Sequence, residues 1–334
     1  MAKSQKTYVV LGGGGSFGIH AALYLLQNAN PRKVIGIGRN PLRESAFSLD
    51  IDKSDPRYTY HQIHLVHEQD RLFELFDKEK PEVIVSFAAQ GEGAVSWKKS
   101  WRFFDTNGTA LVKMAEDLMS RDYMERFIQI GTSELYGSVA KPSKENDPIQ
   151  PTSPYAASKA AFDMYLLSVA QVLKFRMNII RPSNAYGPGQ LLHRVIPRAV
   201  VAGLSGQKLP LQGGGRAKKS YIHARDLGRA IHLVAEKAPV GKVYNAGPKE
   251  PTSIRDLVAT VATRLKIPFE QLVDIVPDRP GQDSQYWLDS GAIKQDVGWE
   301  PQITLEQGID EVIDWGKKYL PHLRQVDPAY ILRS

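Results

Sequence analysis

Thr7-Tyr8-Val9-Val10-Leu11-Gly12-Gly13-Gly14-Gly15-Ser16-Phe17-Gly18 decides the fold. A short apolar run over 7–11 reads as a strand, and it gives way to glycines and then to a helical pattern over 19–28. Gly12, Gly15 and Gly18 make G-x-x-G-x-x-G between the two. Glycines at such a turn let the backbone approach a pyrophosphate, and the unpaired N–H groups of the helix start favour its charge. The turn is therefore a candidate dinucleotide cradle made by Gly12, Gly15, Ser16, Phe17 and Gly18. A plain strand–helix connection is the ordinary alternative.

Outward from this turn, strands and helices alternate. Strands are expected over 34–37, 82–88, 126–130 and 177–181, and helices over 70–78, 107–119 and 155–174. Apolar strands alternating with helices imply a parallel sheet covered on both faces: a Rossmann-type, doubly wound α/β fold. Beyond Arg181 the rhythm loosens at Pro182, Pro188, Pro197 and Pro210 and at Gly213-Gly214-Gly215. Helices are expected again over 254–265 and 305–318. The spacing predicts a dinucleotide-binding domain over 1–181, with elements returning to it around 220–247. A smaller mixed α/β domain for substrate is expected over 182–330.

Composition narrows the function classes. The 334 residues hold 43 Lys and Arg against 36 Asp and Glu, a formal charge of +7. That excess suits an anionic substrate or simply solubility. With no cysteine, a disulfide framework, a thiolate metal site and a cysteine nucleophile are excluded. No apolar run reaches the roughly 18 residues of a membrane span, and no zinc-finger spacing or aromatic RNA-binding box points to nucleic acid. A cytoplasmic protein is expected, with no membrane or nucleic-acid partner.

Three further clusters bear on chemistry. The second strand leads into Gly36-Ile37-Gly38-Arg39. An acidic residue about 20 positions past the glycine turn would accept hydrogen bonds from the ribose hydroxyls of NAD. Arg39 stands there instead and can pair with a 2′-phosphate, which favours NADP over NAD. Tyr155 and Lys159 form Y-x-x-x-K at the start of a helix, on one face at i, i+4. A nearby ammonium lowers a tyrosine's pKa and makes its phenolate accessible as a base. Thr132, Ser133 and Glu134 follow the strand over 126–130, at the carboxyl end where doubly wound sheets bind ligands.

Together with Ala88-Ala89-Gln90, Thr106-Asn107, Tyr136-Gly137, Ser153-Pro154, Arg181-Pro182-Ser183-Asn184-Ala185-Tyr186-Gly187-Pro188, Asp278-Arg279-Pro280-Gly281-Gln282-Asp283 and Gly298-Trp299-Glu300-Pro301, these residues resemble the extended short-chain dehydrogenase/reductase family. Within it they look most like the nucleotide-sugar 4,6-dehydratases. The resemblance covers nearly the whole chain. It implies a tightly held NADP or NAD, contacted also by Ala88, Ala89, Gln90 and Asn107. It implies oxidation of the sugar at C4, loss of water across C5 and C6, and return of hydride to C6. Tyr155 would take the proton of the 4-hydroxyl, Thr132 would bond the 4-oxygen, and Lys159 would hold the nicotinamide ribose and tune Tyr155. Glu134 would remove H5. Glu92, Asn184, Arg194, Lys219 and Arg279 would contact the nucleotide-diphosphate sugar. A homodimer through a four-helix bundle, or a dimer of dimers, is implied as well.

A 4-epimerase or a sugar-acid decarboxylase of the same fold, or a non-catalytic NADP-binding protein, are the alternatives. Glu134 argues against an epimerase, which has no use for a base at C5. Ser133 stands where dTDP-glucose dehydratases carry an aspartate, as in GDP-mannose 4,6-dehydratases, so Glu134 is left to move both protons. Gly91-Glu92-Gly93 replaces the usual Ser-His-Val, Lys219 replaces an arginine, and His64 stands near the usual adenine-binding aspartate. His61, His64 and His67 lie in strand and loop, which scatters them, and no metal site is expected. Trp97 and Trp101 are expected to pack from one helix face. Met114, Leu118, Met164 and Leu167 are candidates for core or dimer interface.

Overall fold

A computed structural model describes residues 5–88, 90–277 and 284–329. Seven parallel strands form one sheet in the order Val243–Ala246, Met177–Pro182, Arg126–Ile130, Val83–Ser86, Thr7–Leu11, Lys33–Gly38, Tyr58–Gln62. Thr7–Leu11 pairs with Lys33–Gly38 on one side and Val83–Ser86 on the other. The chain first builds outward in one direction and then in the other, so the glycine turn sits at the switch point where doubly wound sheets open a crevice.

Alternation along the central strand divides the core. Tyr8 and Val10 face one layer, where the helices Ser16–Asn28 and Ala224–Lys237 pack. Val9 and Leu11 face the other, against Gln69–Glu79, Ala110–Leu118 and Pro154–Leu173. A separate apolar cluster joins Val195–Leu204, Ile254–Leu265 and Leu305–Leu323 to the strand pair Leu209–Gln212 and Val273–Val276. Trp299 is fully buried and its Nε1 donates to the Asp226 carbonyl at 2.9 Å, so Gly298-Trp299-Glu300-Pro301 acts here as a packing element.

Several expectations shift. The first helix starts at Ser16 rather than at residue 19, and its N-cap Gly15 offers no side-chain acceptor. The strand expected over 82–88 is only Val83–Ser86. The helix expected over 107–119 is interrupted: Ser100–Phe104 leads into a wide π turn at Asp105–Thr109 before Ala110–Leu118. Such wide turns recur at functional sites, and this one carries the buried Asn107. The tryptophan expectation fails. The segment before Ser100 is a short 3₁₀ turn and loop, so Trp97 does not share a helix with Trp101. The two side chains are 68% and 67% exposed and join no hydrophobic core among the described residues. Met114 and Leu118 are core residues, whereas Met164 is exposed.

Candidate active site

Two clefts open at the carboxyl ends of the sheet, and Phe87 and His193 line both. The first, about 460 Å³, is bordered by Gly12, Gly15, Arg39, Tyr60, His64 and Gln90. Its glycines are required by geometry. Gly12 sits at φ +79°, where a side chain is strained, and a Cβ on Gly18 would lie 2.3 Å from the Gly12 carbonyl oxygen. The helix behind them begins without a side-chain cap, leaving its first N–H groups aimed at the cleft. Ser16 Oγ is buried there without a hydrogen-bond partner. Bare backbone, open helix donors and an orphaned hydroxyl fit a pyrophosphate.

Arg39 follows the strand Lys33–Gly38 and reaches over the cleft, donating from Nη1 to Gln90 Oε1 at 3.2 Å. Arg43 lines the same end. His64 stacks on His67 with ring centroids 4.4 Å apart, while His61 belongs to the edge strand. Asn107 clamps the wall opposite: its Oδ1 accepts from the Gln90 backbone N–H at 2.7 Å, and its Nδ2 donates to Ser158 Oγ at 2.9 Å. The wide turn thus ties the strand-end loop to the helix that carries Tyr155 and Lys159. Ala89 and Arg279 lie outside the described residues.

The second cleft, about 410 Å³, gathers Thr132, Ser133, Glu134, Tyr155 and Lys159 with Glu92, Asn184, Arg194 and Lys219, and Phe17 lines this side. Ser153 caps the helix Pro154–Leu173, accepting from Ala156 N–H, with Pro154 in its first turn. That start fixes Tyr155 beside Thr132, with which its hydroxyl is hydrogen-bonded. Burial and the Glu134 carboxylate push the Tyr155 phenol above its ordinary range, while Arg194 acts in the opposite sense. Lys159 is 2% exposed, donates to the Ile130 carbonyl at 2.7 Å, and is pushed down to about 8 by burial. Asp163, one turn on, opposes that shift, so Lys159 stays mostly cationic at neutral pH.

Asp163 is itself held by Arg181, Nε to Oδ2 at 3.0 Å, with both side chains buried. Arg181 donates onward to the Tyr136 hydroxyl at 2.9 Å, and Tyr136 donates to Asn245 at 3.0 Å. A buried ion pair is no bargain for stability. Here it fixes Asp163, whose charge acts on Lys159, and joins Arg181 to Tyr136.

Sequence reasoning missed Tyr60, Arg43 and His193. Tyr60 occupies the space that side chains on Gly14 and Gly38 would need. Val326, Asp327 and Ala329 also border the first cleft, a contribution with no local pattern to announce it.

A profile of the family described as GDP-mannose 4,6 dehydratase matches residues 9–312. The chain is 28% identical to a dTDP-glucose 4,6-dehydratase of Neisseria gonorrhoeae over 94% of its length and 96% of that protein. It is 26% identical to a trifunctional UDP-glucose 4,6-dehydratase/UDP-4-keto-6-deoxy-D-glucose 3,5-epimerase/UDP-4-keto-L-rhamnose-reductase of Arabidopsis thaliana, covering 93% of this chain but 47% of that one. Here the chain spans about half the length of the relative. In structure it is similar to dTDP-glucose 4,6-dehydratase of Bacillus anthracis, solved in complex with NAD, at a TM-score of 0.86 and 29% identity over 95% of this chain and 98% of that one. With the glycine cradle, the Thr132–Glu134 strand end and the Tyr155–Lys159 helix converging as they do, the chain belongs to the GDP-mannose 4,6-dehydratase family of nucleotide-sugar 4,6-dehydratases, which are hydro-lyases.

Proposed function

We propose that this chain takes a nucleotide-diphosphate hexose to its 4-keto-6-deoxy derivative with its own Tyr155, Glu134, Thr132 and Lys159. One observation carries the reading: Glu134 shares a single cleft with Thr132, Tyr155 and Lys159, which supplies a base beyond what C4 oxidation needs. A bound nicotinamide supplies the hydride acceptor for C4 and the donor for C6. Tyr155 Oη takes the proton of the sugar 4-hydroxyl, and Thr132 Oγ bonds the same oxygen. Lys159 keeps a positive charge near Tyr155 and orients the nicotinamide ribose. Once C4 is a ketone, H5 is acidic, and Glu134 removes it. Ser133 is a poor acid, so Glu134 also delivers the proton with which the 6-hydroxyl leaves as water. Asn184, Arg194 and Lys219 hold the diphosphate, with Arg279 from outside the described residues. The test is mass spectrometry after incubation with GDP-mannose, dTDP-glucose, UDP-glucose, UDP-N-acetylglucosamine and CDP-glucose. A product lighter by one water is expected from one of them; no such product from any overturns the reading.

The cofactor is NADP in this proposal, supported by Arg39 and Arg43 at the end of the first cleft where no carboxylate follows the second strand. Arg39→Asp should lower the affinity for NADP relative to NAD by about ten- to hundredfold, the worth of a charge-assisted phosphate contact. Titration of both cofactors checks this, and equal affinities in the unaltered protein would remove the assignment to NADP.

We further place the enzyme in the cytoplasm as a homodimer. Exposed Met164 and Val172, eight residues apart and so within a quarter turn on the helix Pro154–Leu173, support pairing through that face. Among the described residues no helix is long and apolar enough to cross a membrane.

A further inference from the structure

Glu92 lines the second cleft on a strained piece of backbone. It stands at φ +82° and ψ +94°, a backbone conformation that a residue with a side chain seldom adopts. Such strain persists where the surroundings hold it in place, and here they hold a carboxylate in the lining of the cleft. The Glu92 side chain is 16% exposed, with Oε2 3.3 Å from Arg194 Nη1 and 3.6 Å from His193 Nε2. Burial and the neighbouring Arg194 push His193 down to about 4, so at neutral pH it carries no charge to offset Glu92. The loop around it passes close to Glu134: a Cβ on Gly93 would lie 3.2 Å from Glu134 Oε2. Glu92 and Glu134 both act electrostatically on the Tyr155 hydroxyl. The sugar half of the cleft therefore presents two carboxylates near the position where C5 and C6 must sit, and the cation nearest to them is already engaged with Glu92.

We propose that Glu92 is a specificity-determining residue that closes the cleft to nucleotide sugars bearing a carboxylate at C6 and admits those with a neutral hydroxymethyl there. This deepens, and rests on, the assignment of the cleft to a nucleotide-diphosphate hexose. A uronic acid bound in the same pose brings a third negative charge against Glu92 and Glu134 in a partly desolvated pocket. Arg194 offsets it only in part, because its charge already serves Glu92. A hydroxymethyl group carries no such penalty and can donate a hydrogen bond to either carboxylate. The ion pair leaves other N–H donors of Arg194 for the diphosphate, so excluding an acidic sugar does not take the guanidinium from the phosphates.

The experiment is calorimetric titration of the holoenzyme with matched pairs: UDP-glucose and UDP-glucuronate, dTDP-glucose and dTDP-glucuronate, GDP-mannose and GDP-mannuronate. The unaltered protein should bind the neutral member of its preferred pair more tightly by about tenfold or more, the scale of one like-charge contact in a partly dry site. In Glu92→Gln that ratio should collapse towards one, chiefly because the uronate binds better. Glu92→Gly, which relieves the backbone strain and keeps no charge, should do the same and guards against a folding defect in the first variant. A preference unchanged in both variants, or a uronate bound as tightly as the neutral sugar by the unaltered protein, overturns the proposal and leaves the dehydratase reading standing. If no neutral sugar nucleotide binds the unaltered holoenzyme, the assignment of the cleft itself falls and takes this proposal with it.

Discussion

Tyr155→Phe should lower kcat by about 10³-fold or more, roughly 4 kcal/mol of lost transition-state stabilisation. The substitution removes one oxygen from a ring whose position is fixed by other means. The helix start at Pro154 and the cap from Ser153 remain, and so does the edge-to-face contact with Phe103 at 6.5 Å between centroids. Cofactor affinity and melting temperature should therefore stay close to those of the unaltered protein. What is lost is the hydroxyl, hydrogen-bonded to Thr132, that the proposal assigns to take the sugar's proton. Burial and Glu134 hold that phenol neutral in the structure as it stands, so the site depends on added positive charge to draw out the phenolate. Arg194 acts in that sense in the structure, and in the proposed mechanism the Lys159 ammonium, held cationic by Asp163, adds to it. A Phe variant that keeps more than about a tenth of the turnover would be incompatible with general-base catalysis by Tyr155.

The sequence exposed this arrangement unevenly, and the reasons are physical. The glycine turn was legible because strand, glycines and helix are adjacent in the chain, and the pairing of Thr7–Leu11 with both neighbours follows from one apolar run. Tyr155 and Lys159 were legible for the same reason: one helical turn separates them. Glu134 lies four residues beyond a strand whose carboxyl end must face the crevice. Residues that enter the clefts through tertiary packing were not legible. His193 reaches both clefts from the loop before Val195–Leu204, Tyr60 enters from the edge strand, and Val326 arrives from beyond the last helix. The tryptophans defeat the spacing argument because a separation of four fits a shared helix, whereas the segment before Ser100 is a loop and not a continuation of that helix. The ion pair joining Glu92 to Arg194 spans about a hundred positions of sequence, and neither residue type alone suggests it.

Glu134→Gln should separate the two halves of the reaction, with overall turnover down by about 10³-fold or more and C4 oxidation preserved. The amide keeps the size and the polar contacts of the carboxylate, and the backbone N–H of residue 134 still bonds Thr132 Oγ at 3.2 Å. Tyr155 and Lys159 are untouched, so substrate should still be oxidised at C4, seen as a rise in near-ultraviolet nicotinamide absorbance on mixing. The amide cannot take H5. In deuterated buffer the unaltered enzyme should place deuterium at C5 of the sugar during turnover, and the variant should not, while no product lighter by water forms. Ser133 is a buried hydroxyl with no basicity to offer, Lys159 is held on the Ile130 carbonyl, and Glu92 is committed to Arg194. The contrast with Tyr155→Phe is the sharper test, because that variant should lose both the absorbance change and the water loss, whereas Glu134→Gln should lose only the second. If Glu134→Gln releases water at the parent rate, Glu134 is not the base at C5. If it fails even to oxidise C4 while Tyr155 and the cofactor remain in place, Glu134 acts on the first proton and the division of labour between the two residues is wrong.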